Sequence, residues 1–251
     1  MERLWEVDSA RGLALVLMLV FNWSETLEIF GIYTVSDGWL YQYLFPRFIA
    51  SMFLFIAGVS LTLSINRFKE KNPDSWREKA PLKYLKRGLY IFSLGLAITA
   101  VTYIFFPERF IFFGILHLIG VSIALSHPVI DRPKIAGGIG AAIIALSPLI
   151  SGIEFLGRLG ASIGFSTKGI AALDLFPVIP WTGVVLLGIS TGYYLFPGGI
   201  RRYNVPESFF LKLPEFTRRC MSIIGRNTLM IYLLHQPFLV LILVLAGFPV
   251  I

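Results

Sequence analysis

Seven apolar runs of near-membrane length recur along this chain, and no other feature restricts its fold so strongly. They fall at about 7–29, 45–65, 85–106, 110–126, 135–152, 177–196 and 226–248. A bilayer offers the backbone no hydrogen-bond partners, so such runs must be helices that satisfy their own N–H and C=O groups. With 56% hydrophobic and only 15% charged residues over 251 positions, the chain is too apolar for a soluble domain. The expected fold class is all-α: a polytopic membrane helical bundle of about seven spans, read as a single domain over 1–251.

The connections between runs test this division, because cytoplasmic segments collect Lys and Arg. Arg67, Lys69, Lys71, Arg77, Lys79, Lys83, Lys86 and Arg87 lie between runs two and three. Arg132 and Lys134 lie between four and five, and Arg201, Arg202, Lys212, Arg218 and Arg219 between six and seven. The alternate connections carry only Arg47, Arg109, Arg158 and Lys168. The N-terminus is therefore expected inside and the C-terminus outside, which requires an odd number of spans. This orientation accounts for the net charge of +7 better than nucleic-acid binding does, and no nucleic-acid partner is expected. Glu2, Glu6 and Asp8, with no small-residue cleavage site after them, mark the first run as a retained helix rather than a removed signal peptide. The single cysteine, Cys220, excludes an intramolecular disulfide, and three histidines without close spacing argue against a zinc cluster, so no metal is expected.

Polar residues inside such runs need partners or a wet cavity. Thr228, Tyr232 and His235 fall at i, i+4 and i+7, on one helix face, with Gln236 beside them. Pro237 removes a backbone donor, and a kink or opening is expected there. In the fourth run His117 lies between Gly114 and Gly120, which let another helix or a ligand come close. His127, at the inner end of that run, reads as structural or solvated. The first run places Asp8 and Arg11 at i and i+3, where they can pair, and Arg11 shares a face with Asn22 eleven residues on. The connection from Trp23 to Pro46 is aromatic and suits the headgroup level or a lid. The second and fifth runs, rich in small residues, read as packing helices, and Asn66 to Lys83 as a solvated loop or surface helix. Pro177 and Pro180 make regular helix unfavourable before Trp181, so Asp174 reads either as part of a site at an irregular outer entrance or as a helix N-cap.

Together, Arg3 with Asp8-x-x-Arg11-Gly12, Gly114-Ile-Leu-His117-x-x-Gly120, Asp174-x-x-Pro177-x-x-Pro180-Trp181 and Gly225-Arg226-Asn-x-Leu229-x-x-Tyr232-x-x-His235-Gln236-Pro237 resemble a known group. The chain resembles the catalytic-domain family of heparan-alpha-glucosaminide N-acetyltransferase, among the transmembrane acyltransferases, in a short, prokaryotic-type form. The resemblance implies an integral protein of a prokaryotic cell membrane. It also implies transfer of an acetyl or other acyl group from cytoplasmic acyl-CoA to an amine or hydroxyl of an extracytoplasmic, sugar-containing acceptor. Asn22 matches the family's asparagine at the outer end of helix one and becomes an active-site residue by resemblance. The histidine that the lysosomal enzyme uses just after helix one has no counterpart between Trp23 and Pro46. An alternative within the implied mechanism is that a loop carboxylate, Glu25 or Asp37, replaces it.

Acyl transfer from a thioester needs a base for the attacking nucleophile and donors for the developing oxyanion. His117 is the leading expected base, with His235 or Tyr232 as the second proton-handling group. Asn22 would be an oxyanion donor or acceptor guide, and Asp174 would hold an imidazole or a cationic amine. Arg11, Lys86, Arg87 and Arg226, with Asp8 paired to Arg11, would meet the phosphates of acetyl-CoA, for which guanidinium groups are well shaped, although Lys86 and Arg87 read more simply as positive-inside anchors. The expected partners are the bilayer, acyl-CoA and a small-molecule or glycan acceptor; homo-oligomerisation is compatible with this reading. Two rivals predict different behaviour. A transporter would move its substrate without consuming an acyl donor, and a scaffold would need neither His117 nor His235 beyond stability.

Overall fold

The computed structural model describes residues 4–34, 38–202 and 215–248; Arg3, Asp37 and Lys212 lie outside the described residues. Every regular element among the described residues is helical, and their one extended pairing is a parallel bridge between Phe113 and Leu175. In order come α1 (Trp5–Ile29), a π-helical turn (Leu40–Leu44), α2 (Phe45–Lys71), α3 (Trp76–Phe105), α4 (Ile115–Ser126), α5 (Pro133–Ser151), α6 (Gly157–Ile163), α7 (Val178–Leu195), α8 (Glu215–Arg226) and α9 (Thr228–Leu245).

Six of these helices are long and apolar enough to cross a membrane: α1, α2 with its preceding turn, α3, α5, α7 and α9. They correspond to six of the seven expected runs. The fourth run yields only α4, whose 12 residues span about 18 Å against about 30 Å of hydrocarbon. Its start is set back because Gly114 is extended and the residues before it are tied to the loop ahead of α7. Its end is closed by the His127–Val129 turn, where Pro128 cannot continue the hydrogen-bond ladder.

Other expectations meet the backbone directly. The polar stretch from Asn66 to Lys83 is mostly helix, since α2 runs on to Lys71 and α3 begins at Trp76. Ile179 leaves helical geometry (φ −103°, ψ 126°), so regular helix in α7 begins only at Pro180–Trp181, as the two prolines require. Pro237 does not open its helix. α9 stays helical on both sides of it, from Thr228 to Leu245.

The described residues form two compact units, one of 54–202, the other of 4–34, 38–53 and 215–248. In the first unit, glycines bring helix axes together. A Cβ added at Gly58 of α2 would run into the Val185 carbonyl of α7, and one at Gly140 of α5 would meet the Gly183 carbonyl at 2.7 Å. Buried hydroxyls spend their hydrogen bonds across these seams: Ser122 pairs with Thr182 at 2.9 Å, and Thr62 donates to the Ile189 carbonyl at 2.9 Å. In the second unit α1 packs against α8 and α9. There Gly12 abuts the Met221 carbonyl and Gly225 the Asp8 carbonyl, which leaves room for neither a side chain nor a shift.

Candidate active site

In the second unit the polar face expected on α9 meets a polar face of α1. His235 is 7% exposed, and its Nδ1 lies 2.6 Å from the Tyr232 carbonyl oxygen, one turn back on the same helix. A carbonyl only accepts, so Nδ1 carries the proton and Nε2 keeps its lone pair. Asn22 Nδ2 approaches that lone pair at 3.4 Å. The pair is 213 residues apart in sequence. The Tyr232 ring stands 5.6 Å from the imidazole, tilted by 50°.

A second pair braces the first. Thr26, one turn after Asn22, lies 2.8 Å from the Asn22 carbonyl and 3.1 Å from Gln236 Oε1, and its single hydroxyl proton can serve either. Gln236 Nε2 donates in turn to the Asn22 carbonyl at 3.4 Å. Asn22 and Thr26 at i and i+4, facing His235 and Gln236, thus make one polar patch between two apolar helices. Thr26 was not singled out from sequence, although its i+4 relation to Asn22 was the available signal. Glu25, one of the two alternative stand-ins for the missing loop histidine, holds one buried carboxylate oxygen without a hydrogen-bond partner.

His117 and Asp174 come together in the first unit, around the N-terminus of α4. His117 is 1% exposed, with Phe92 edge-on at 5.0 Å, Phe113 stacked at 5.5 Å and Gly95 of α3 directly against the ring. Its Nδ1 accepts the Gly114 N–H at 3.2 Å, so the proton belongs on Nε2, 3.4 Å from Thr99 Oγ1. Thr99 passes its own proton to the Ile111 carbonyl at 2.6 Å. Both ring nitrogens are therefore engaged locally. The backbone N–H groups of Ile115 and Leu175 point at the Asp174 carboxylate. Helices leave their first N–H groups without internal partners, and His117 and Asp174 supply two of them here. Asp174 thus caps α4, whereas the residue at the N-cap of α7 is Pro177. Asp174 keeps some exposure as a residue, but its carboxyl end lies against Gly114, where a Cβ would come within 2.9 Å of Oδ2. Lost solvation raises its pKa to about 6, against the opposing pull of the two N–H groups.

Of the cations expected at the donor, Arg11 and Arg226 converge on Asp8. Arg11 Nη1 reaches Asp8 Oδ1 at 3.0 Å and donates to the Gly225 carbonyl at 3.1 Å, while Arg226 Nε lies 3.5 Å from Asp8 Oδ2. Asp8 is 4% exposed, and this set sits at the Gly12–Gly225 crossing of α1 and α8. Arg87, in the first unit, is exposed and reaches Ser64 Oγ at 3.5 Å.

The family described as heparan-alpha-glucosaminide N-acetyltransferase, catalytic, matches residues 3–237 of the chain. No curated protein and no solved structure matches it significantly.

Proposed function

The chain belongs to the heparan-alpha-glucosaminide N-acetyltransferase catalytic family, which makes it a membrane protein of acetyltransferase type, and from that premise we propose that Asn22 and His235 carry the transfer. The donor in this reading is acyl-CoA from the cytoplasmic side, and the acceptor an amine or hydroxyl on an extracytoplasmic, sugar-containing molecule. The observation that supports the reading is the His235 tautomer: a deeply buried imidazole oriented through Nδ1–H, with a basic Nε2 facing an amide side chain.

The chemistry balances on those two groups. The acceptor's nitrogen or oxygen attacks the thioester carbonyl carbon, and His235 Nε2 takes the proton it loses. The carbonyl oxygen becomes an oxyanion, towards which Asn22 Nδ2–H turns from its long contact with Nε2. The C–S bond then breaks, the imidazolium returns its proton to the departing thiolate, and free coenzyme A and the acylated acceptor are left. Throughout, the Tyr232 carbonyl accepts from Nδ1–H and steadies the positive ring. Gln236 and Thr26 hold α9 in register with α1 and are positioning residues.

His117 and Asp174 are assigned to capping α4 in this reading, because their polar atoms are already used there. Asp8, Arg11 and Arg226 are assigned to holding α1 against α8.

Purified full-length protein in proteoliposomes, supplied with acetyl-CoA and a panel of amino sugars, should release coenzyme A only when an acceptor is present. His235→Ala should lower that rate by about 10²–10⁴-fold and Asn22→Ala by about 10²–10³-fold at unchanged folded yield. Wild-type rates in both variants would remove the assignment. Movement of an amino sugar across the bilayer with no coenzyme A released would favour the transporter instead.

A further inference from the structure

Beside the α1–α8 crossing lies an open groove of about 390 Å³, lined by Trp5, Arg218, Arg219, Ser222, Ile223 and Arg226. Three features there point to one kind of occupant. Three guanidinium groups border a single groove, which concentrates positive potential beyond what Glu215, paired with Arg219 at 2.7 Å, and Asp8, paired with Arg226, neutralise. Ser222 is 8% exposed, and its hydroxyl is buried without a hydrogen-bond partner, an expensive state unless a ligand supplies one. The walls are otherwise apolar, formed by Ile223 and by the Trp5 ring, over which Arg218 lies at 5.1 Å. Phe216 and Ile223, at 77% and 58% exposure, extend that apolar surface along α8.

A cationic rim over apolar walls fits an amphiphile with an anionic head better than a fully polar anion. The groove also belongs to the connection that the Lys and Arg asymmetry assigns to the cytoplasmic side. We infer that this groove binds the phosphate of an anionic phospholipid of the inner leaflet, with Arg218 and Arg219 on the phosphate oxygens, Ser222 donating to one of them, and the start of an acyl chain along Trp5 and Ile223. Guanidinium groups suit phosphate oxygens, and α8 becomes a surface helix anchored at the headgroup level. This inference is independent of the transfer chemistry.

The test is the thermal unfolding midpoint of the full-length protein in neutral detergent with added phosphatidylglycerol, or phosphatidylcholine of the same chain length, at equal mole fraction. A ligand of the folded state alone must raise the midpoint. Phosphatidylglycerol should raise it by several degrees and phosphatidylcholine should not. The Arg218→Gln/Arg219→Gln variant should lose most of that shift while keeping its lipid-free midpoint, and Lys134→Gln, an exposed inner-side cation elsewhere, should keep it. Ser222→Ala, which leaves the charges intact, should raise the half-saturating lipid fraction roughly tenfold, the scale of one hydrogen bond to a charged group. If the double variant does not fold, Ser222→Ala decides alone. Equal shifts with both lipids, an undiminished shift in the arginine or serine variants, or a shift given by coenzyme A and not by phosphatidylglycerol would overturn the inference.

Discussion

At His235 the orienting acceptor comes from the same helix, since the Tyr232 carbonyl one turn back takes the Nδ1 proton and leaves Nε2 facing Asn22. His117 has the opposite tautomer for an equally physical reason: the Gly114 N–H points at its Nδ1. Two histidines that look alike in sequence are thus separated by which nitrogen is left with a lone pair, and by whether that lone pair has local work. Asp174 lends itself to a residue-scale prediction. Its folded pKa of about 6 stands above the ordinary value of 3.8, so the folded state favours its protonated form. The stability this gives is fully present below the unfolded pKa and is lost as pH rises through about 6. The thermal midpoint of the wild type should therefore fall across that window, and Asp174→Asn should flatten the fall. Parallel pH profiles for the two proteins would show that the carboxyl does not titrate there.

Among elements, the tightest seam is the crossing of α1 and α8. Gly12 and Gly225 let the backbones touch, and Asp8 with its two arginines closes the same contact. Overpacking of this kind costs about 1–3 kcal/mol and more where the obstacle is backbone, so Gly12→Ala and Gly225→Ala should each destabilise at least that much. Gly138, on α5 with open space around it, is the control. Ala there should be neutral or stabilising by up to about 1 kcal/mol through helix propensity. Chemical denaturation of the three variants separates the cases, and equal stabilities would refute the seam. α4 illustrates another element-scale effect. Hydropathy over 110–126 reads as one continuous run, yet the Leu173 N–H bonds to the Arg109 carbonyl and the Phe176 N–H to the Phe113 carbonyl, which holds the first residues of that run in extended pairing and shortens its helix. Apolarity measures affinity for lipid, and it does not register that a backbone has found partners elsewhere.

Over the whole molecule, the distribution of Lys and Arg makes a claim that labelling can check. In a Cys220→Ser background, Lys168→Cys should react with an impermeant maleimide added outside intact cells, and Lys79→Cys only after permeabilisation; the reverse pattern would invert the topology. Both lysines are exposed, so burial does not confuse the readout. What the sequence by itself determined is what depends on neighbours along the chain: the apolar runs, the alternation of basic-rich and basic-poor connections, the Asp8–Arg11 pair, the irregular entry to α7 and the shared face of Thr228, Tyr232 and His235. Each follows from hydropathy, from spacing of three or four residues, or from a missing proline donor. Only the tertiary structure decided which polar group stays available, because that depends on partners far away in sequence. Asn22 reaches His235 across 213 residues, Thr26 reaches Gln236 across 210, and Asp174 turns to the α4 start instead of its own helix. A buried polar atom must take whatever partner the packing brings, and side-chain spacing along one helix cannot say which partner that will be.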